Sequence, residues 1–331
     1  MGYVLVHGGS GDHTGEDRVR GICGLLPEQP EIFSPAPEED WRYGLGELGG
    51  LSRISPGAMA GWLRAGDWVV TSHPGLAGKL PRGVKRILWG WEPRGPLSGR
   101  QADQLKRFHR VVVMDRRSAA FLRRAGVGRS LRIGPDPSFL VGRAPRSAEE
   151  MAREETVGLC FSTAIGFAEA APGVLFRSYC HLIRWILDNT TWKIALIPYC
   201  VGRKQSDEPL HRALMAQFPR EERLICRGDG SCLELRHDLS LCRVCVGTAG
   251  VPAAWSCMVP GLCIGVSGRV RGLNSTLLGG NTDGIVPVAA LRREGDLTEA
   301  FRRFLQGEDA MRRRLEVAVP RYRQWAREWS W

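Results

Sequence analysis

Residues 241–272 read LCRVCVGTAGVPAAWSCMVPGLCIGVSGRVRG, and this stretch decides the fold. An apolar run at Arg243–Val246 predicts a strand, and the glycine turn at 247–250 leads into a segment of helical length. A second apolar run, Gly261–Val266, predicts another strand, so the order is strand, turn, helix, strand. Such a βαβ unit belongs in a parallel sheet, where ligands bind beyond the carboxyl ends of the strands. The turn at 247–250 and the loop at 267–272 are therefore the first candidate ligand sites.

The remainder of the chain repeats the alternation of strand and helix in two halves. Apolar runs such as Asp67–Thr71 and Arg110–Met114 predict buried strands in the first half, with helical segments after them. The polar residues 142–156 lack a strand pattern and predict a linker. We therefore predict an N-terminal Rossmann-like domain over residues 1–145, and a C-terminal Rossmann-like domain over 157–295 that contains the candidate ligand turn.

Apolar and aromatic residues recur at helical spacing near the end of the chain. This stripe predicts a long C-terminal helix over residues 296–331, which we expect to pack back on the body of the protein. Pro320 lies inside the stripe and should kink or split the helix, because proline cannot donate the hydrogen bond of a helix interior. The expected fold class is α/β, with two facing Rossmann-like domains and a long C-terminal helix.

Composition limits the class of protein and the kind of partner. The chain has 331 residues, of which 43% are hydrophobic and 24% charged, as in ordinary soluble globular proteins. Its net charge of +11 favours anionic partners, although an arginine bias of the genome would give the same excess. The basic residues are spread rather than clustered, which argues against a dedicated DNA or RNA binder. The first residues lack the pattern of a signal peptide, so we expect a cytoplasmic protein, with peripheral membrane association left open.

The ten cysteines do not predict a metal or redox centre. Cys242 and Cys245 form a CxxC pair, yet no second pair stands at zinc spacing and the motif lies in a predicted strand. Cys160 and Cys263 lie in apolar runs, where cysteine behaves as a small hydrophobic residue. No cofactor and no metal site are predicted.

Candidate binding residues follow the predicted strands. The backbone of a glycine turn before a helix can surround an anion or a sugar, and arginines at strand ends can pair with an anion. The donor-binding candidates are Gly247, Thr248, Ala249, Gly250, Arg269 and Arg271. The acceptor or cleft candidates are Gly11, Asp12, Arg94, Arg116, Tyr199 and Arg203.

Several motifs, in the same order along the chain, resemble those of the polysaccharide pyruvyl transferases. Met114–Ser118 is similar to that family's R-D-x-x-S helix start, and Gly134–Leu140 is similar to its D-P-A-F turn. Leu196–Tyr199 with Ser206–Asp207 looks like the family's L-I-P-H…D-D segment. The stretch 241–272 resembles its core, V-I-G-T/M-R-L-H-A…G-V-P…I-S-Y…K-S-x-G.

The resemblance implies a GT-B-like fold and a transferase in exopolysaccharide biosynthesis for the cell envelope. Known members move a pyruvyl group from phosphoenolpyruvate onto a sugar of a cell-surface polysaccharide. This chemistry needs cations around the donor and an acid for the enol carbon. Arg269 stands for the family's lysine, whereas Ala249 and Val251 stand where the family has its arginine and histidine. The catalytic residues are therefore not identified.

Two alternatives remain open. A Gly-Thr-Ala-Gly turn before a helix is also suited to a nucleoside diphosphate, because backbone N–H groups and the helix dipole point at it. This pattern indicates a GT-B glycosyltransferase or a sugar-nucleotide epimerase-like enzyme with a UDP-sugar as donor. The replaced histidine is also compatible with a non-catalytic relative that binds a saccharide.

Overall fold

The structure is a computed structural model, and it describes residues 3–6, 13–23, 25, 31–34, 51–53, 63–72, 74–91, 96–141, 155–162, 173–202, 205–228, 230–248, 250–265, 268–280 and 284–329. The chain divides into two compact units. Unit 1 consists of Met1–Val141 together with Tyr322–Trp331, and unit 2 of Gly142–Arg321.

The described strands of unit 1 form one parallel sheet. They are β1 (Tyr3–Val6), β2 (Glu31–Ser34), β3 (Leu51–Arg53), β4 (Trp68–Thr71), β5 (Lys85–Trp89), β6 (Arg110–Val113) and β7 (Leu131–Ile133). Their order in the sheet is β3-β2-β1-β4-β5-β6-β7. The described helices of this part are α1 (His13–Cys23), α2 (Gly99–Lys106) and α3 (Arg116–Arg124), with 3-10 turns at Pro74–Gly78 and Pro137–Leu140.

Two helices of unit 1 begin at residues that the sequence marks as caps. Ser98 accepts a hydrogen bond from the amide of Gln101, whose side chain in turn accepts from the amide of Ser98, so Ser98 is the N-cap of α2. Asp115 caps α3 through the amide of Ser118. Both caps satisfy helix N–H groups that would otherwise lack a partner.

Unit 2 contains a second parallel sheet of the same design. Its strands are β8 (Thr156–Cys160), β9 (Lys193–Leu196), β12 (Leu224–Cys226), β13 (Val244–Gly247), β14 (Gly261–Ile264) and β15 (Ile285–Val286), and a small antiparallel hairpin joins β10 (Val201–Gly202) to β11 (Gln205–Ser206). The sheet order is β12-β9-β8-β13-β14-β15. Each sheet thus reverses its strand order once, as doubly wound folds do. The reversal lies between β1 and β4 in unit 1 and between β8 and β13 in unit 2.

The described helices of the second half of the chain alternate with these strands. They are α4 (Val174–Asn189), α5 (Glu208–Ala216), α6 (Cys232–Leu241), α7 (Val251–Ser256), α8 (Gly268–Leu278), α9 (Asp296–Gln306) and α10 (Glu308–Glu328). The apolar face of α4 is buried, including Leu175, Leu182 and Ile186. All four residues of β13 are buried, which explains its uncharged sequence.

The structure confirms the fold class and corrects several local predictions. The predicted loop at 267–272 is helical from Gly268 onward, so Arg269 and Arg271 lie in the first turn of α8. The C-terminal helix is split at Gly307, between α9 and α10, whereas α10 continues through Pro320. The short strands β2 and β3 lie where no strand was predicted. Among the described residues, no helix is long and apolar enough to cross a membrane.

The last turns of α10 complete unit 1. The amide of Asp136 donates to the Tyr322 hydroxyl at 2.7 Å, and the Trp329 indole donates to the carbonyl of Ile133 at 3.2 Å. The ring of Tyr322 also packs on Phe139, with centroids 5.1 Å apart. Residues after 321 therefore share a core with the segment from Ile133 to Phe139.

Candidate functional site

The carboxyl ends of β8 and β13 lie at the point where the sheet of unit 2 reverses its strand order. The last residues of the two strands, Cys160 and Gly247, are register partners. At such a switch point the connections leave neighbouring strands in opposite directions, and the resulting crevice is where ligands of doubly wound sheets bind. The turn that the sequence singled out therefore begins at the switch point of this sheet.

Close packing explains both described glycines of the turn. A Cβ at Gly247 would overlap the backbone carbonyl of Cys160. A Cβ at Gly250 would lie 2.6 Å from the Cys160 sulfur and 3.3 Å from the Tyr199 ring. Side chains cannot approach so closely, so glycine is required at both positions whether or not a ligand binds.

Thr248 fixes the turn to the loop after β8. Its amide donates to the carbonyl of Cys160 at 3.0 Å, and its hydroxyl accepts from the amide of Ser162 at 3.1 Å. Val251, which stands where the resembled family has its histidine, is fully buried at the start of α7. Pro252 follows and has no N–H, so this six-residue helix presents fewer amide donors at its start than the sequence prediction assumed.

Arg269 follows β14, the strand that lies next to β13 in the sheet. It is in the first turn of α8, which contains no acidic residue, and is only 8% exposed. Burial raises the pKa of the Cys263 thiol to about 12, and the charge of Arg269 acts in the opposite direction, so Arg269 lies close to the end of β14. A guanidinium and the positive end of a helix dipole together favour a negative charge at this edge of the sheet.

Asp207 shapes the segment that leaves β9. One oxygen of its carboxylate accepts from the amides of Tyr199 and Cys200, at 2.9 Å and 2.7 Å. Asp207 is fully buried, and among the described residues its other oxygen has no hydrogen-bond partner. His211 follows one helical turn later, and its Nε2 lies 3.1 Å from the carbonyl of Phe161.

Two polar side chains, His211 and Tyr179, form a buried cluster with this carboxylate. Because a carbonyl only accepts, His211 donates from Nε2, and its Nδ1 is an acceptor for which the described part of the chain offers no partner. Burial lowers the pKa of His211, while the negative charge of Asp207 opposes that shift. Burial also raises the pKa of Tyr179, whose ring stacks on Phe161 at 3.7 Å and whose hydroxyl has no partner within the ranges that the structure describes. Sequence reasoning missed His211 and Tyr179; the Asp207–His211 spacing of four residues was the available signal.

The structure brings some of the predicted site residues together and separates others. Gly247, Thr248, Gly250 and Tyr199 lie around Cys160, but the Tyr199 side chain is buried rather than exposed to a cleft. Arg271 is exposed on α8, and Arg116 is exposed at the start of α3 in unit 1. The remaining candidates lie outside the described residues: Gly11, Asp12, Arg94, Arg203 and Ala249.

The cysteines of the central strands are packing residues. The sulfurs of Cys160 and Cys245 lie 3.6 Å apart, and their hydrogen bond and burial raise the pKa of Cys245. Within the described part of the chain, no group of three or more His, Cys, Asp or Glu side chains could hold a metal ion.

Two doubly wound units with this strand order define the GT-B fold class. A protein from Listeria monocytogenes described as a UDP-N-acetylglucosamine 2-epimerase has a TM-score of 0.70 at 9% identity, covering 99% of this chain and 94% of that one. The UDP-GlcNAc 2-epimerase of Methanocaldococcus jannaschii, in complex with UDP-GlcNAc and UDP, has a TM-score of 0.60 at 12% identity over 92% and 93%. An α,α-trehalose-phosphate synthase (UDP-forming) from Burkholderia xenovorans has a TM-score of 0.58 at 11% identity over 98% of both chains. No protein-family model matches the chain, and a comparison with curated proteins gives no match.

Proposed function

We propose that this protein is a GT-B enzyme that binds a nucleoside diphosphate sugar, with a UDP-sugar as donor. The observation that carries the proposal is the position of Arg269, in the first turn of α8, which follows β14, the strand next to β13 in the unit 2 sheet. A diphosphate carries the negative charge that this helix start and this guanidinium would stabilise.

The similar structures support the same class of donor. The M. jannaschii epimerase is in complex with UDP-GlcNAc and UDP, and the B. xenovorans synthase is UDP-forming and in complex with glucose-6-phosphate. Each covers more than nine-tenths of both chains, so the likeness includes both units rather than one common domain. A saccharide acceptor follows if the enzyme is a transferase, and none is needed if it is an epimerase.

Phosphoenolpyruvate is the competing donor, because the sequence resembles the pyruvyl transferases. Val251 argues against this donor, since it is fully buried and carries no acid at the position of the family's histidine. The arginine of that family would stand at residue 249, where this chain has alanine. Arg269 can pair with either donor, so binding measurements must separate them.

Calorimetric titration with UDP-GlcNAc, UDP-glucose, UDP and phosphoenolpyruvate tests the proposal. We expect the uridine nucleotides to bind. The variant Arg269→Ala should weaken their binding by about 1.5 to 3 kcal/mol, the contribution of a charge-assisted hydrogen bond. This loss corresponds to an increase in Kd of roughly ten- to a hundredfold. Arg313→Ala, which removes an exposed arginine from α10 of the same unit, is the matched control.

The outcomes separate the candidate functions. Binding of phosphoenolpyruvate without any uridine nucleotide would refute the proposal in favour of pyruvyl transfer. Absence of binding by all four ligands would favour the non-catalytic relative. If UDP-sugars bind, incubation with each sugar shows the reaction: release of UDP on addition of an acceptor identifies a transferase, and a change of the sugar at a single carbon identifies an epimerase.

A further inference from the structure

A pocket of about 660 Å³ lies in unit 2, between the residues after β15 and one face of α9. It is at the edge of the sheet, because β15 is the last strand in the order, two strands from β13. The volume is within the range of about 300 to 1,000 Å³ that is usual for small-molecule sites. None of its lining residues belongs to the candidate donor site.

Charged side chains from both walls line this pocket. Arg292 and Arg293 come from the segment before α9. Asp296, Glu299 and Arg303 come from α9 itself, at spacings of three and four residues that place them on one face of the helix. The pocket therefore combines three guanidinium groups with two carboxylates.

Each of the two carboxylates already forms an ion pair with an arginine. Asp296 accepts from the amides of Arg292 and Arg293, each at 2.8 Å, and pairs with the Arg293 guanidinium at 3.3 Å. These backbone hydrogen bonds hold the pKa of Asp296 below its usual range and fix the start of the arginine segment. Glu299 pairs at 3.3 Å with Arg302, which does not line the pocket.

Two positive charges remain without a counter-ion. Within the part of the chain that the structure describes, neither Arg292 nor Arg303 has an ion pair or a side-chain hydrogen bond. The uncharged lining includes small exposed apolar residues, such as Pro287 and Ala290. A ligand that matches this lining carries two negative charges and is small.

We propose that this pocket binds a phosphate dianion, carried by a phosphorylated sugar-sized molecule. A phosphomonoester carries about two negative charges at neutral pH, which matches the two uncompensated arginines. The planar guanidinium groups of Arg292 and Arg303 suit bidentate pairing with phosphate oxygens. The apolar residues leave room for the carbon skeleton. The inference does not depend on the proposed donor, since it uses a different set of residues.

Isothermal titration with four probes tests this site: glucose 1-phosphate, inorganic phosphate, unphosphorylated glucose and dimethyl phosphate, which carries one negative charge. We expect glucose 1-phosphate to bind, glucose not to bind, and dimethyl phosphate to bind at least about tenfold more weakly, because it pairs with only one of the two charges. The variant Arg292→Ala/Arg303→Ala should bind glucose 1-phosphate at least about tenfold more weakly. Arg313→Ala should bind it like the unmodified protein.

Each result decides one part of the proposal. Tighter binding of glucose 1-phosphate than of inorganic phosphate identifies a phosphorylated sugar as the ligand, and equal binding identifies the free ion. Undiminished binding by the double variant overturns the assignment of the pocket, and so does failure of the unmodified protein to bind either phosphate. Equal binding of dimethyl phosphate overturns the charge-matching argument. A thermal unfolding scan checks that the double variant is folded. We expect it to be, because both side chains are exposed.

Discussion

The buried carboxylate of Asp207 gives the most direct test of the structure. In Asp207→Ala, the amides of Tyr199 and Cys200 lose the acceptor that they share. Both amides are in a buried segment, and a buried donor without a partner costs about 1 to 3 kcal/mol. The two together predict a loss of about 2 to 6 kcal/mol, a large part of the roughly 5 to 15 kcal/mol that stabilises a typical protein.

Urea denaturation and native-state hydrogen exchange measure this loss. Because two units need not unfold together, exchange at Tyr199 and Cys200 reports on the affected segment directly. Asp103→Ala is the matched control, since Asp103 is 68% exposed and pairs with Lys106, its neighbour on the same helix. It should change the free energy of unfolding by about 0.5 kcal/mol or less. Asp207→Asn keeps one acceptor oxygen and should lose less than the alanine variant. A loss below about 1 kcal/mol in Asp207→Ala, or unchanged exchange at the two amides, would refute the reasoning.

Three further changes test other parts of the fold. Gly247→Ala should destabilise the protein by about 1 to 3 kcal/mol, because the added Cβ would overlap the backbone of β8, whereas Gly128→Ala has open space and should be nearly neutral in the same denaturation assay. Tyr322→Phe removes the acceptor of the buried Asp136 amide and should cost about 1 to 3 kcal/mol; an unchanged urea midpoint would contradict that hydrogen bond. Burial lowers the pKa of His211, so the unfolded chain binds a proton below about pH 6.5 while the folded protein does not. Stability should therefore fall as the pH drops below that value, and His211→Gln should make the fall shallower; parallel curves for the two proteins would argue against a neutral buried histidine.

Local sequence signals predicted the regular elements well. The capping box of Ser98 needs only the four residues from Ser98 to Gln101, so a local pattern contains it. The buried face of the helix Val174–Asn189 is likewise visible in the spacing of its apolar residues. The strands β2 and β3 have four and three residues, too few to show a period, and they are strands because neighbouring strands pair with them. Strand pairing depends on partners distant in sequence, so no local pattern reveals it.

The candidate site was predicted only in part. Its location at the end of β13 followed from the strand, turn and helix pattern, but the switch point is a property of the sheet order, which the sequence does not state. Tyr199 was assigned to a cleft because a residue after a strand often faces one, and the structure buries it beside Gly250. Tyr179 and His211 come from different helices, so their proximity to Asp207 depends on tertiary packing.

The sequence predicted that arginines would bind an anion, but it did not distinguish Arg269 from Arg271. Arg269 and Arg271 are two residues apart on α8, and helical geometry buries the first and exposes the second. A loop at 267–272 would have made the two equivalent. The helix therefore distinguishes them, and Arg269 becomes the better test of anion binding.

The hydrogen bond between the Asp136 amide and the Tyr322 hydroxyl joins residues separated by 186 positions. During synthesis on the ribosome, chains generally fold from the N-terminus, domain by domain. Unit 1 is an exception, because Tyr322–Trp331 belong to it and emerge after all of unit 2 has been made. Its core around Phe139 can close only when the last turns of α10 arrive, so unit 1 is completed only after all of unit 2 has been synthesised.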